Sequence, residues 1–378
     1  MNPRSSALFL FLAAMPVWTP SDAPAGGSSD AWTQFRGGAE QQGVAGGALP
    51  SQLDPAWTFE VEGGTESTAA IAGGRVYVPS LAGKLYALGL DGGELLWTYD
   101  ADGEEVKSSP LVHEGTVYFG DEYGRFHAVD AETGKGRWKV EVDGAISSSA
   151  NLGDGCILFG SYDNFIYCVK PADGAVVWKV ETQGYVHGTP AVVDGKAISS
   201  GCDGFLRLVD VKTGATAAEL EVGAYVAASP AVRDATAYFG TFGNNVVAVS
   251  LKDAKILWDY DPPELDFPFY SSAAVTEKLV VIGGRDKMVH ALDRATGKPA
   301  WTHAAGARVD ASPVVAGERV YVADTAGVLA ALALADGAAL WQYETGSGFT
   351  ASPAIAAGRL VIGTEDGVVY AFAETRRP

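Results

Sequence analysis

Eight positions of the chain, separated by 40 to 43 residues, carry side chains of very different chemistry. They are Glu66, Lys107, Ser147, His187, Ala227, Tyr270, Asp310 and Thr350. A carboxylate, an amine, an imidazole and a phenol that converge on one concavity are typical of a binding site. We therefore predict a ligand or partner site formed by Glu66, Lys107, His187, Tyr270 and Asp310. The alternative that the acids and Lys107 are simply solvated stays open.

Two uniform columns follow this variable one. The next residue is small in all eight cases, and the one after it is always a hydroxyl. The hydroxyl column is Thr68, Ser109, Ser149, Thr189, Ser229, Ser272, Ser312 and Ser352. Crowding around a common axis, with hydroxyls bonded to local backbone, explains such columns. A hydroxyl ring that holds one ligand is the alternative.

A long segment, Asp259–Tyr270, interrupts the regular spacing. It combines four carboxylates, three prolines and four aromatic residues, so it should be stiff and amphipathic. Phe267 and Phe269 would supply contact area at low entropic cost, and we predict them to bind a partner. A lid over the concavity and a passive insertion are the other possibilities.

Motifs of catalysis and metal binding are scarce in this sequence. It has no Gly-x-Ser-x-Gly, His-Glu-x-x-His, phosphate loop or Cys-x-x-Cys, and the five histidines lack metal-ligand spacing. We predict no catalytic residues, no metal and no cofactor. The net charge of −19 argues against a nucleic acid partner, because phosphates require a Lys/Arg surface.

A repeat of about 40 residues places these columns. Each unit contains short Val/Tyr/Phe-rich strands separated by turns with Gly, Asn or Asp. The pattern predicts an all-β fold: an eight-bladed β-propeller of four-stranded antiparallel blades. The last unit has only three strands, so we expect the strand near Trp57 to complete it and close the ring.

The N-terminus divides into two predicted regions before the propeller. Residues 1–25 have a basic start, a short apolar run and a small-x-small site, which are typical of a signal peptide. Residues 26–55 are predicted to be a linker and an arm that packs Trp32 and Phe35 on the body, and 56–378 to be the propeller. No stretch after the leader could span a membrane, and no lipobox cysteine is present, so we expect an exported monomer without a lipid anchor.

The three cysteines give a separate prediction. Pairing about an Asp163-Asn164 turn sets residue 156 opposite 171, which puts Cys156 and Cys168 on different sheet faces. We therefore expect no disulfide between them, and a partly exposed thiol at Cys202.

The motif Ala-x-Asp-x-x-Thr-Gly-x-x-x-Trp, complete at 128–138 and 291–301, resembles the pyrroloquinoline-quinone (PQQ)-like propeller repeat. The resemblance covers roughly 56–373 and implies that each tryptophan docks between neighbouring blades. The column is Trp57, Trp97, Trp138, Trp178, Trp258, Trp301 and Trp341, with Ala218 in the remaining place. We expect the junction at Ala218 to be more weakly packed.

Two branches of this superfamily imply different functions. The BamB-like branch resembles the chain in length, leader and blade count, and implies a non-enzymatic periplasmic scaffold that binds a protein partner in outer-membrane assembly. The quinoprotein branch implies a small dehydrogenase, or a sugar-binding enzyme, that uses the channel mouth with PQQ and Ca²⁺. The chain lacks that branch's vicinal cysteines and clustered acids. We therefore favour the scaffold and keep the enzyme as the alternative. In either case we expect the protein to be exported, to the periplasm or outside the cell.

Overall fold

The computed structural model describes residues 29–262 and 267–375, which form a ring of eight four-stranded sheets. The predicted eight-bladed propeller is confirmed. The predicted signal peptide lies outside the described residues. Blade 8 combines three C-terminal strands with the N-terminal strand β1 (Leu53–Glu60), which pairs antiparallel with β32 (Val368–Glu374) from Leu53↔Glu374 to Glu60↔Val368. The expected closure of the ring is therefore present.

The strands follow one another from the channel outward in each blade. Blades 1 to 4 consist of β2 (Ala70–Ala72), β3 (Arg75–Pro79), β4 (Lys84–Gly89), β5 (Leu95–Asp100); β6 (Leu111–His113), β7 (Thr116–Gly120), β8 (Arg125–Asp130), β9 (Gly136–Glu141); β10 (Asn151–Gly153), β11 (Cys156–Gly160), β12 (Phe165–Val169), β13 (Val176–Glu181); β14 (Ala191–Val193), β15 (Lys196–Ser200), β16 (Phe205–Asp210), β17 (Thr216–Glu221). Blades 5 to 8 consist of β18 (Ala231–Arg233), β19 (Thr236–Gly240), β20 (Val246–Ser250), β21 (Lys255–Tyr260); β22 (Ala274–Val275), β23 (Leu279–Gly283), β24 (Met288–Asp293), β25 (Pro299–Ala304); β26 (Val314–Ala316), β27 (Arg319–Ala323), β28 (Val328–Ala333), β29 (Ala339–Glu344); β30 (Ala354–Ala356), β31 (Arg359–Gly363), β32 (Val368–Glu374), β1 (Leu53–Glu60).

Burial changes from the inside of a blade to its outside. The second and third strands are buried on both faces, as in β7 and β8, and this explains their continuous apolar sequences. The outermost strands, such as β9, expose alternate residues. Because strand direction alternates, the loops that enter each innermost strand and the turns between second and third strands share one face. We call this face the mouth; the remaining turns form the opposite face.

Blade junctions use one repeated contact. Each tryptophan Nε1 donates to a backbone carbonyl of the next blade, for example Trp138 to Pro171 O at 3.0 Å and Trp178 to Val211 O at 2.7 Å. In six junctions the indole also lies against a turn glycine with φ of +70 to +73°, where an added Cβ would come within 2.5–2.8 Å of the ring. A tryptophan in this column therefore requires glycine in the facing turn.

One junction departs from this pattern on both sides. Ala218 stands in the tryptophan column of blade 4, and Ala254, with φ of 48°, stands in the glycine position of blade 5. Loss of the indole leaves room for a Cβ in the facing turn. The two alanines are therefore one structural change, and the weaker packing expected here stays a prediction.

The arm covers the face opposite the mouth. Trp32, which is 1% exposed, exchanges two 2.8 Å hydrogen bonds with Ile71, and the chain then contacts blade after blade. Backbone N–H donors to the arm are Ile71, Val112, Val192, Val232, Val275, Val315 and Ala357, and the Asn151 side chain serves blade 3. All eight blades therefore bind the arm, and the predicted packing of Trp32 on the body is observed. Val44 pairs with Val315 of the propeller and Leu49 is buried, so contacts with the body extend beyond the predicted Trp32 and Phe35.

The expectation of unpaired cysteines in blade 3 was wrong, because Cys156 and Cys168 form a disulfide. Leu158 pairs with Cys168, so the position opposite Cys156 is 170 and not 171. This shift by one residue returns both cysteines to the same face of the sheet. Cys202 is free and partly exposed, as predicted.

Candidate functional site

The innermost strands enclose a channel that opens at the mouth. Its cavity has a volume of about 270 Å³. All eight residues of the variable column line it, and we call them the mouth ring; the hydroxyl column, which we call the hydroxyl ring, lies one level deeper. Phe35 of the arm also lines the cavity. The structure thus brings the predicted residues Glu66, Lys107, His187, Tyr270 and Asp310 together; whether they bind anything stays a prediction.

The hydroxyl ring joins neighbouring blades. A backbone N–H of one ring residue donates to the side-chain oxygen of the next, as from Thr68 to Ser109 and from Ser229 to Ser272, each at 2.9 Å. Seven such bonds of 2.8–3.1 Å run around the channel. The eighth hydroxyl, Thr68 Oγ1, is buried and has no partner among the described residues. The predicted bonding of these hydroxyls to the backbone is therefore observed for seven oxygens, each of which accepts a hydrogen bond from a neighbouring blade.

His187 lies between two tyrosines at the mouth. Its Nδ1 is 2.6 Å from Tyr162 Oη, and its Nε2 is 3.1 Å from Tyr270 Oη. Burial lowers the pKa of His187 to about 4, with a further contribution from Lys107, and burial raises the pKa of Tyr270 to about 12. All three groups are therefore neutral at pH 7. A neutral imidazole has one N–H and one acceptor nitrogen, so one tyrosine donates to the ring and the other accepts from it.

Two charged residues of the mouth ring, Lys107 and Asp310, already have partners. Lys107 Nζ is 3.1 Å from Glu105 and 3.7 Å from Glu122. Burial alone would lower the pKa of Lys107, but these carboxylates raise it. Desolvation raises the pKa of Glu66, and Lys107 partly offsets this.

On the other side of the mouth, Asp310 accepts two hydrogen bonds from Arg285, at 2.8 and 3.2 Å. The Arg285 guanidinium also lies 4.7 Å from the centre of the Tyr270 ring, as a cation–π contact.

Arg285 was missed from the sequence, although a signal existed. It belongs to a second variable column, two residues after the end of each second strand. The members are Leu81, Glu122, Tyr162, Cys202, Phe242, Arg285, Thr325 and Glu365. Arg285, Glu122 and Tyr162 bond directly to mouth-ring residues. The site therefore has two variable rings.

Five aromatic residues form a crescent along the mouth from blade 3 to blade 6. They are Tyr162, Tyr185, Tyr225, Phe242 and Tyr270. Tyr162 stacks on Tyr185 with ring centres 4.8 Å apart, and Phe242 contacts Tyr270 edge-on at 6.2 Å. Phe242 N–H donates to Tyr225 O at 2.8 Å. Tyr225 is 63% exposed and Tyr185 is 52% exposed, so this aromatic surface faces solvent.

The two phenylalanines predicted as partner contacts differ. Phe267 is 45% exposed and lies three residues before Tyr270, beside the crescent. Phe269 is 1% exposed and packs on His290 and over Gly240, so it cannot contact a partner. It belongs to a buried column that precedes the mouth ring: Thr65, Val106, Ile146, Val186, Val226, Phe269, Val309 and Phe349. Residues 263–266 of this loop lie outside the described part of the chain.

The residues described by the structure contain no cluster of three His, Cys, Asp or Glu side chains that could hold a metal ion. No helix within 29–262 or 267–375 has the length and apolar character needed to cross a membrane.

Eight blades built on this repeat and arranged around a polar channel define a PQQ-like β-propeller. The chain belongs to the family described as outer membrane protein assembly factor BamB, whose model matches residues 51–153, 123–266 and 261–375. The suspected family is therefore confirmed.

Solved structures share this fold. BamB from Moraxella catarrhalis superposes with a TM-score of 0.72 at 20% identity, covering 85% of this chain and 100% of that one. The quinohemoprotein alcohol dehydrogenase ADHIIG from Pseudomonas putida HK5 gives a TM-score of 0.77 at 12% identity, covering 93% and 82%.

The curated relatives are oxidoreductases that match over short regions. The 1-butanol dehydrogenase (cytochrome c) of Thauera butanivorans is 33% identical over 100 residues, which cover 23% of this chain and 14% of that protein. The quinohemoprotein alcohol dehydrogenase ADH-IIG of Pseudomonas putida is 31% identical over 103 residues, covering 24% and 14%. The match thus spans about a seventh of these relatives' length, and it does not distinguish a scaffold from a dehydrogenase.

Proposed function

We propose that the protein is an exported, non-enzymatic scaffold that binds a protein partner in the cell envelope through the aromatic crescent. The observation that carries this proposal is the solvent exposure of Tyr185, Tyr225 and Phe242 on one face, around the mouth. Exposed tyrosine and phenylalanine supply large apolar area with few rotatable bonds, and they are enriched in protein interfaces. Membership of a family named for outer membrane protein assembly agrees with this role.

The distribution of charge at the mouth suggests which partner segment would fit. The crescent occupies blades 3 to 6, whereas the carboxylates of Glu66, Glu105 and Glu122 lie at blades 1 and 2. A partner segment with apolar side chains and a flanking basic stretch would contact both the crescent and these carboxylates, which we call the acidic half of the mouth. Steering by the acidic half would raise the association rate and weaken with salt.

Affinity purification from the envelope of the producing cell tests this proposal. The wild-type protein should recover a specific partner, and a Y185A/Y225A/F242A variant should lose it. Tyr123→Ala is the matched control, because Tyr123 is 65% exposed on the same face but lies at blade 2, outside the crescent. Recovery of no envelope protein, or equal loss in the control, would count against the scaffold.

The second candidate is a quinoprotein-type dehydrogenase or sugar-binding enzyme, favoured by the similarity to quinohemoprotein alcohol dehydrogenases. PQQ carries three carboxylates and would require free cations and, with calcium, a set of oxygen ligands. Lys107 and Arg285, however, already bind carboxylates of this chain. Three His, Cys, Asp or Glu side chains converge nowhere in the part of the chain that is described. The residues present therefore do not fit PQQ with calcium.

Titration of the purified protein with PQQ and Ca²⁺ separates the two classes. For a scaffold we expect neither an absorbance change nor a shift of the thermal midpoint. A saturable spectral change at one equivalent of PQQ would favour the enzyme.

A further inference from the structure

The deep end of the channel is a blind pocket. On the face opposite the mouth, the arm bonds to the innermost strands of blades 1 to 7 and to Ala357, one residue after the innermost strand of blade 8, and Phe35 forms part of the floor. All eight members of the hydroxyl ring line the cavity above it, and each is at most 6% exposed. A ligand in this pocket would therefore meet hydroxyls from every blade and could leave only through the mouth.

The backbone fixes what these hydroxyls can offer. Seven of them use a lone pair to accept the N–H of a neighbouring blade. None donates its O–H to an acceptor within the described residues. Since a hydroxyl has one O–H to donate, these protons remain available to the cavity. The ring is consequently a circle of hydrogen-bond donors.

A buried cation lies behind this ring, outside the residues that line the cavity. The Arg36 side chain is almost completely buried and donates from Nη2 to Pro313 O at 2.6 Å and to Ala273 O at 3.1 Å. Each of these carbonyls belongs to the residue directly after a ring hydroxyl, Ser312 or Ser272. Nε and Nη1 have no hydrogen-bond partner among the described residues. Burial lowers the pKa of Arg36 to about 9, so the side chain is charged at neutral pH.

A buried charge without a counter-charge is costly, and O–H groups that converge on one axis can donate together to a single acceptor placed there. One anionic ligand would meet both conditions. We propose that the hydroxyl ring binds one small oxyanion, either inorganic or the carboxylate of a small molecule, on the channel axis. The Arg36 guanidinium serves as its counter-charge. A cation in the same place would be repelled by Arg36, although hydroxyl oxygens could otherwise coordinate it.

Crystals of the complete protein grown from chloride salts, and soaked in selenate or in rubidium chloride, test the proposal. We expect an anomalous selenium peak on the axis at hydrogen-bond distance from ring hydroxyls, and no rubidium peak there. Rubidium without selenate, or only water in both soaks, would overturn it. If formate displaces selenate, the site also binds carboxylates. If it does not, the site is specific for tetrahedral oxyanions.

Calorimetric titration with selenate gives the matched comparison in solution. Ser272→Ala removes one ring donor, and we expect selenate affinity to fall about tenfold. Ser271→Ala is the control, because its neighbouring hydroxyl donates to Gly283 O instead of the cavity. Arg36→Met should abolish binding, and its thermal midpoint reports whether the arm stays in place. Equal affinities for Ser272→Ala, Ser271→Ala and wild type would refute the site independently of Arg36 and of any partner protein.

Discussion

The two ends of the channel are built on the same eight blades but use their side chains in different ways. At the closed end, backbone groups of the arm pair with every blade, and Trp32 and Arg36 are buried. At the mouth, the residues vary from blade to blade, and Tyr185 and Tyr225 stay exposed. An end whose blades pair with the arm backbone and whose aromatic side chain is buried stabilises the ring, whereas an end with exposed aromatic side chains offers a surface for recognition.

Deletion of residues 30–62 tests this comparison with the largest expected effect. The deletion removes the arm together with β1, which leaves β32 as an unpaired edge and exposes the closed end of the channel. We expect an aggregation-prone or poorly folded protein, measured by size-exclusion chromatography and thermal unfolding. Replacement of residues 261–266 by a Gly/Ser linker is the control and should leave a folded monomer. A deletion variant that stays monomeric with an unchanged thermal midpoint would contradict the stabilising role of this end.

The sequence could predict the repeat and its columns, because both depend on local periodicity. It therefore predicted the eight blades, the closure by β1 and the positions of the mouth ring. The predictions that failed depended on the exact strand register or on contacts between distant parts of the chain. A one-residue register shift reversed the disulfide prediction, and the buried column that contains Phe269 was not recognised. The path of the arm across the blades and the aromatic crescent were not predicted. Both bring together residues that are far apart in the sequence and share no local pattern.

Two single aromatic substitutions compare the ends more finely. Trp32→Ala removes a buried indole from the closed end, and we expect it to lower the free energy of unfolding by about 3–5 kcal/mol. Tyr225→Ala at the mouth should change that free energy by no more than about 0.5 kcal/mol, since the side chain is exposed. Urea denaturation of both variants measures the difference. Similar losses in both would show that the crescent is structural.

The pH dependence of stability should come partly from the mouth. The pKa of His187 is lowered to about 4 in the folded protein, against about 6.5 in an unfolded chain. Below pH 6.5 the unfolded state therefore binds a proton that the folded state does not bind until about pH 4, so stability falls as the pH is lowered through this range. The loss at pH 4.5 should be about 2 kcal/mol, since the half-buried ring retains some solvent contact. His187→Gln should remove this part of the slope in urea denaturation series at pH 7.5 and 4.5, and an unchanged slope would assign the dependence to other groups.

The smallest expected effect concerns the blade junction at the closed end that lacks tryptophan. Ala254→Gly relieves a left-handed backbone conformation at a turn that faces no indole, so we expect a gain in unfolding free energy of up to about 1 kcal/mol. Gly214→Ala is the matched opposite, because its φ is +71° and the new Cβ would lie 2.8 Å from the Trp178 ring. That substitution should destabilise by about 1–3 kcal/mol. If Ala254→Gly also destabilised the protein, the Ala218–Ala254 junction would have a packing of its own, with contacts that depend on the Ala254 side chain.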